Sequence, residues 1–282
     1  MQYHVRHKTR YEFDRKVFFE PHLLRFFPRC SPHLKLLRHE LSISPIPAGL
    51  SVIEESTGTM AHACWFDGMH EYLEIEAVFS VAVASRNPFA FLIHPSENNQ
   101  LPLAYESNET VILAASLEAN PLNEEMHHFV DGIIYSATRQ TLPFVVALNS
   151  AIGERCRVVT REDGPPQTPE TTFSNREGSC RDLTWLQIHL LRSVGIAARF
   201  VSGYFYLDAE EPRWELHAWV EVYLPGAGWF GVDPSHGIVC AVGHIPIAAS
   251  PIPAQTLPVT GTFRGEATSH MNHQIIIEKN EA

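Results

Sequence analysis

No apolar run in this sequence approaches the roughly 20 residues a membrane-spanning helix needs; the longest, around Val78 to Ala84, is far shorter. The opening MQYHVRHKTRYEF has none of the apolar core of a secretory signal, so a soluble, cytoplasmic protein is expected. Positive charge is scarce, with 21 Lys and Arg against 32 Asp and Glu and a net charge of -11. This balance removes the electrostatic basis for gripping a phosphate backbone or anionic lipid, and neither nucleic acid nor membrane is expected as a partner. Cysteine is sparse too. Cys30, Cys64, Cys156, Cys180 and Cys240 are odd in number, widely spaced and free of any C-x-x-C pair, which speaks against a disulfide framework and against a zinc knuckle. There are 16 histidines, including the adjacent His127 and His128 and the close pairs His4/His7 and His270/His273, yet no H-E-x-x-H occurs. His70-Glu71 runs on into Tyr72-Leu73-Glu74, and neither metal nor cofactor is expected.

What is present is a globular composition, 45% apolar and 19% charged, over 282 residues, enough for two domains with cores of their own. As far as about Thr110, short runs (Tyr3 to His7, Leu34 to Ile43, Leu50 to Glu54, Tyr72 to Ala84) are separated by Pro, Gly, Asn and Ser. That spacing predicts a mainly β module, a sandwich, over residues 1–115. From Asn120 the period changes: Leu122, Met126, Phe129, Ile133 and Ile134 fall at helical spacing, and Leu142 to Ile152 follows, with Pro143 where a first helical turn tolerates it. Glu162 to Glu170, rich in Pro and Gly, predicts a loop. Beyond it the pattern predicts a helix from about Cys180 to Val194 and strands over Ala198 to Leu207, Leu216 to Leu224 and Trp229 to Asp233. A helix on an antiparallel sheet makes the 116–282 region α+β.

Ser179 stands as N-cap to that helix with Asp182 as its capping-box partner, and Gly195 supplies the stop. Cys180 then lies in the first turn, where free backbone N–H groups and the positive end of the helix dipole favour the thiolate, the reacting species. In Leu216 to Tyr223 the alternation places His217, Trp219, Glu221 and Tyr223 on one face. If Val222 opposes Gly228, a five-residue loop, then His217 opposes Asp233 with Cβ atoms roughly 5 Å apart. A carboxylate on one ring nitrogen fixes the tautomer and leaves the other to take the thiol proton.

These stretches, GSCRDLTWLQIHLLRSVGIAARFVSGY (178–204), LHAWVEVYLPGAGWFGVDPSHG (216–237), GHIPIAASPIP (243–253) and PVTGTFRG (258–265), resemble bacterial transglutaminase-like proteins. The start YHVRHKTRYEFDRKVFFEPHLLRFFP resembles that family's N-terminal β domain. The resemblance implies a papain-like, transglutaminase-like core over 116–282 with a C-terminal β extension, and a triad of Cys180, His217 and Asp233. It implies acyl transfer through a thioester on a peptide, protein or small amide, resolved by water (protease or amidase) or by an amine (transglutaminase). Trp219 and Trp185 are candidates for the substrate cleft. The alternative is a non-catalytic binding or scaffolding protein of the same fold. Ser235-His236 departs from the family pattern, where Thr and a small or polar residue are usual.

Overall fold

Leu73, Ile75, Ala77, Phe79, Val81 and Val83 are buried and their neighbours are not, the period of two that a strand with one covered face requires. This strand is the sixth along the chain of a computed structural model that describes residues 1–161 and 164–280. Before it come β1 (Gln2–Phe19), β2 (His22–Leu24), β3 (Leu34–Ser44), β4 (Gly49–Glu54) and β5 (Met60–Trp65), and it is β6 (His70–Val83). β6 lies between β1 and β3 in one antiparallel sheet, and β5 between β2 and β4 in a second. Phe19, Leu24, Phe26, Cys64, Phe66 and Ile75 fill the space between the sheets, which is the expected sandwich.

The chain continues through α1 (Ser107–Leu117), α2 (Glu124–Ser136), α3 (Thr141–Arg155), β7 (Arg157–Val158), α4 (Pro169–Asn175), β8 (Glu177–Gly178) and α5 (Cys180–Ser193). The periodicity foretold α2, α3 and α5 but not α1, whose Val111 and Ile112 face outward at 77% and 82% exposure and erase the apolar stripe. The expected loop over Glu162 to Glu170 ends sooner: Pro169 is the first residue of α4, and Thr168 caps it by accepting from Thr171 N–H. Glu162 and Asp163 of that loop lie outside the described residues.

Five antiparallel strands follow: β9 (Ala198–Leu207), β10 (Arg213–Leu224), β11 (Gly228–Asp233), β12 (Ile238–Val239) and β13 (His244–Ser250), in the spatial order β12-β11-β10-β9-β13. Leu183, Leu186 and Leu190 of α5 share one core with Ala218, Val220 and Val222 of β10. Each fully buried leucine contributes about 2 kcal/mol, so this contact fixes α5 against the sheet.

The last strands, β14 (Val259–Thr260), β15 (Phe263–Arg264) and β16 (Ser269–Asn280), run back to the N-terminal sheets: β14 pairs with β2, and both β15 and β16 pair with β1. What the sequence suggested as an extension of the 116–282 region is by pairing part of the first two sheets. The two regions also share a core, in which Tyr3, Val5, Phe79 and Val81 meet Tyr204 and Ile245. His7 Nδ1 and Tyr204 Oη lie 2.7 Å apart within it.

Candidate active site

The start of α5 is a small polar construction around Asp182, whose carboxylate is completely buried. Its Oδ2 accepts from the Ser179 backbone N–H at 2.8 Å and from the Ser179 hydroxyl at 2.7 Å, the anticipated capping box. Its Oδ1 accepts from Gln167 N–H at 2.7 Å and from the Arg161 guanidinium at 2.6 Å. Burial pushes this carboxyl up, but the Arg161 bond and the other donors outweigh it and hold the group below the ordinary carboxylate range. Asp182 is therefore more than a helix cap, since it ties the segment before α4 to the helix start. Gly178 is required by the same packing: a Cβ there would stand 2.8 Å from Asp182 Cβ and 3.1 Å from Thr172 Cγ2. Cys180 follows as the first helical residue, half-buried, whereas Cys64, Cys156 and Cys240 are buried and Cys30 is exposed.

The candidate base, His217, comes from the β10–β11 hairpin, and its register differs from the one anticipated. Leu224 pairs with Gly228, Val222 with Phe230 and Val220 with Val232, so the turn is Pro225 to Ala227 rather than five residues. Gly226 and Gly228 take φ of +83° and +74°, a left-handed backbone that allows so tight a reversal. The displacement is by two residues, which preserves the face on which each side chain projects; a slip of one would have separated His217 from Asp233. They meet diagonally instead of directly, with His217 Nε2 2.9 Å from Asp233 Oδ2 and both side chains wholly buried. Cys180 is among the groups that raise the His217 pKa, which places its sulfur near the ring. With Nε2 committed to Asp233, Nδ1 is the nitrogen left to serve the thiol.

Three further residues complete the site, and the sequence reading missed them. Glu215 Oε1 stands 2.9 Å from His217 Nδ1, with its side chain 53% exposed; the strand alternation that places His217 and Trp219 on one face would also have placed Glu215 there. Asp233 Oδ2 takes two more imidazoles, His236 Nδ1 at 2.9 Å and His244 Nε2 at 3.2 Å, and Oδ1 accepts from Ser235 N–H at 2.9 Å. His236 had a signal, as it lies in the turn three residues beyond Asp233. His244 lay in the family-like stretch 243–253, but no local pattern joined it to Asp233, because it arrives on β13 from the far side of β9.

Burial opposes charge on His217, yet hydrogen bonds with Asp233, Cys180 and Glu215 reverse that effect and raise its pKa well above the ordinary histidine value. Asp233 mirrors it: burial pushes the carboxyl up, and bonds from His217, His236 and His244 bring it well below the carboxylate range. Burial keeps His244 below the usual value and so in its neutral form at neutral pH. The site thus holds a buried anion and an imidazolium beside it, with the Cys180 sulfur near that ring.

The donor atoms of His217, Asp233 and His236 all lie within 4.8 Å of one another. Their 2.9 Å separations are hydrogen-bond distances; ligands of one tetrahedral ion at about 2.1 Å would stand roughly 3.4 Å apart. The geometry here is that of a carboxylate receiving imidazole N–H groups. Trp219 is buried with Val201, Cys240 and Ala249, its ring 6.3 Å from that of His217 and within 25° of parallel. Trp185 packs edge-on against His189 at 4.3 Å beneath the Arg192 guanidinium. Five residues on from Cys180, it is turned about 140° around the helix from it. Glu221 on the His217 face pairs with Arg199 at 2.6 Å. Among the described residues no helix is long and apolar enough to cross a membrane.

Residues 127–234 match the family described as the transglutaminase-like superfamily, and residues 3–82 match the bacterial transglutaminase-like N-terminal region. The uncharacterized protein Rv2569c of Mycobacterium tuberculosis is 26% identical over 254 residues, covering 83% of this chain and 79% of that protein. A protein-glutamine gamma-glutamyltransferase of Pseudomonas aeruginosa is 35% identical over 75 residues, 23% of this chain and 11% of its own length. Among solved structures, a candidate cysteine protease from Cytophaga hutchinsonii has a TM-score of 0.72 over 100% of this chain and 92% of its own. At 15% sequence identity that is a likeness of fold.

Proposed function

This chain belongs to the bacterial transglutaminase-like family, a sheet-rich N-terminal region joined to a transglutaminase-like core, and from that premise we propose that it is a cysteine-dependent acyl-transfer enzyme acting on amide bonds. The observation that carries the reading is the contact of His217 Nε2 with Asp233 Oδ2 at 2.9 Å, with Cys180 acting on the same imidazole. Asp233 holds the ring in one orientation and stabilises its charge. The Cys180 thiolate attacks the carbonyl of a peptide or carboxamide, and the oxyanion forms at the start of α5, where backbone N–H groups have no partner within the helix. The His217 proton passes to the leaving amine, which departs and leaves a thioester. Neutral His217 then takes a proton from the nucleophile that resolves it, water in a hydrolase or an amine in a transglutaminase.

4-Nitrophenyl acetate tests this, because its acyl group needs only the nucleophile and the base. A burst of one 4-nitrophenolate per chain is expected, with the acetyl group found on the Cys180 peptide by mass, and no burst from Cys180→Ala. A wild-type protein that gives no burst, or that carries the acetyl group elsewhere, contradicts the reading.

A further inference from the structure

Glu215 has no part in the triad, yet it sits against the nitrogen that does the proton transfer. It lies two residues before His217 on β10, paired with Phe205 in the ladder to β9, and so projects from the same face. Its Oε1 is 2.9 Å from His217 Nδ1. Asp233, the other carboxylate on this imidazole, is sealed from solvent, whereas the Glu215 side chain is 53% exposed. The groups that face Glu215 are His217, the part-exposed His236 and, behind them, Asp233. The bond to His217 keeps Glu215 below its usual carboxylate value, so it is an anion at neutral pH.

We propose that Glu215 selects the nucleophile that resolves the thioester, its carboxylate binding the ammonium of a primary amine and placing it beside His217 Nδ1. The proposal rests on the acyl-transfer reading above and assigns a residue to the choice between its two nucleophiles. Negative charge at that point gives water no advantage. An alkylammonium gains an ion pair there, and its nitrogen is brought to the base that must take its proton. The balance is simple. R–NH3⁺ loses one proton to His217 Nδ1, the amine nitrogen bonds to the acyl carbon, and the C–S bond breaks with its electron pair returning to Cys180 as thiolate. The second proton goes to solvent, leaving the amide, the departing Cys180 thiolate and the protonated His217. The strongly acidic chain, at a net charge of -11, adds a weak long-range attraction for the same cations.

The test is the fate of the acetyl-enzyme formed in one turnover from substoichiometric 4-nitrophenyl acetate, divided between water and an added nucleophile. Cadaverine serves as the cationic nucleophile and hydroxylamine, uncharged at neutral pH, as the neutral one. Dividing amide or hydroxamate by acetate cancels any effect on acylation. In Glu215→Gln the N-acetylcadaverine to acetate ratio should fall about fivefold, the scale of a partly exposed ion pair, and the acetohydroxamate to acetate ratio by less than twofold. In the wild type, added salt should lower the cadaverine ratio and leave the hydroxylamine ratio in place, a readout that needs no variant. A cadaverine ratio that ignores both the substitution and salt overturns the proposal. So does an equal fall for both nucleophiles, which would mean that Glu215 acts only through His217. If no acetyl-enzyme forms in the wild type, the acyl-transfer reading itself fails and takes this inference with it.

Discussion

Arg161 and Asp182 form an ion pair at 2.6 Å in which the carboxylate is completely buried, so the segment before α4 and the helix that presents Cys180 are held as one unit. Asp182→Ala removes the acceptor of the Ser179 N–H and the Gln167 N–H and one acceptor of the Arg161 guanidinium, which keeps its bond to Pro165 O. Loss of one partner from a buried, hydrogen-bonded pair costs about 3–5 kcal/mol. Urea unfolding should show a drop of that size. Cys180 acylation should slow even at temperatures where the variant is folded, because the helix start that positions the thiol is loosened.

The buried histidines predict an acid-sensitive fold. Burial holds His7 at a pKa of about 3 and His62 at about 4, against about 6.5 for a histidine in the unfolded chain. The unfolded state therefore binds protons below about pH 6.5 that the native state refuses, and stability falls as pH drops from there toward 3 to 4. His217 has the opposite sign: its raised pKa adds stability that is complete below pH 6.5 and is lost as pH rises through its folded value. At pH 5 His7 contributes close to one proton to the uptake on unfolding. His7→Gln should reduce the pH slope of the unfolding free energy by about that one proton. An unchanged slope would mean that His7 titrates normally in the fold.

The three residues of the proposed triad should fail in different ways. Cys180→Ala removes the nucleophile and should abolish the acetyl-enzyme. His217→Ala should lower the acylation rate by about 10²–10⁴, since the imidazole that takes the proton is gone. Asp233→Asn should cost less than His217→Ala. The amide can still meet the ring, but the imidazolium loses its anion while burial continues to oppose its charge, so the pKa of His217 should fall sharply. Single-turnover acetylation rates against pH, with circular dichroism to check folding, give the comparison. Asp233→Asn at the wild-type rate would remove Asp233 from the triad.

How far the sequence disclosed this site depended on whether the signal was local. The α5 start was legible because Ser179, Asp182 and Gly195 are a cap, a box partner and a stop within one helix. The His217 face was legible from alternation alone. The register was not, because it depended on Gly226 and Gly228 adopting positive φ, and a turn two residues shorter moved Asp233 from opposite His217 to diagonal. Helix α1 was hidden by its outward Val111 and Ile112. The return of β16 to β1 and of His244 to Asp233 depends on long-range pairing, which no local pattern encodes. Glu215 was within reach of the same alternation that found His217.

If His217, held by Asp233, activates Cys180, iodoacetamide alkylation resolved by residue reports it without a substrate. Burial raises the Cys64 thiol to about 11 and lifts Cys156 and Cys240 as well, so these three should label slowly at neutral pH. Exposed Cys30 is the internal reference. Cys180 should alkylate faster than Cys30 at pH 7, and His217→Ala should slow it more than tenfold while Cys30 is unchanged. Cys180 reacting no faster than Cys30, or at the same rate with and without His217, would contradict that activation.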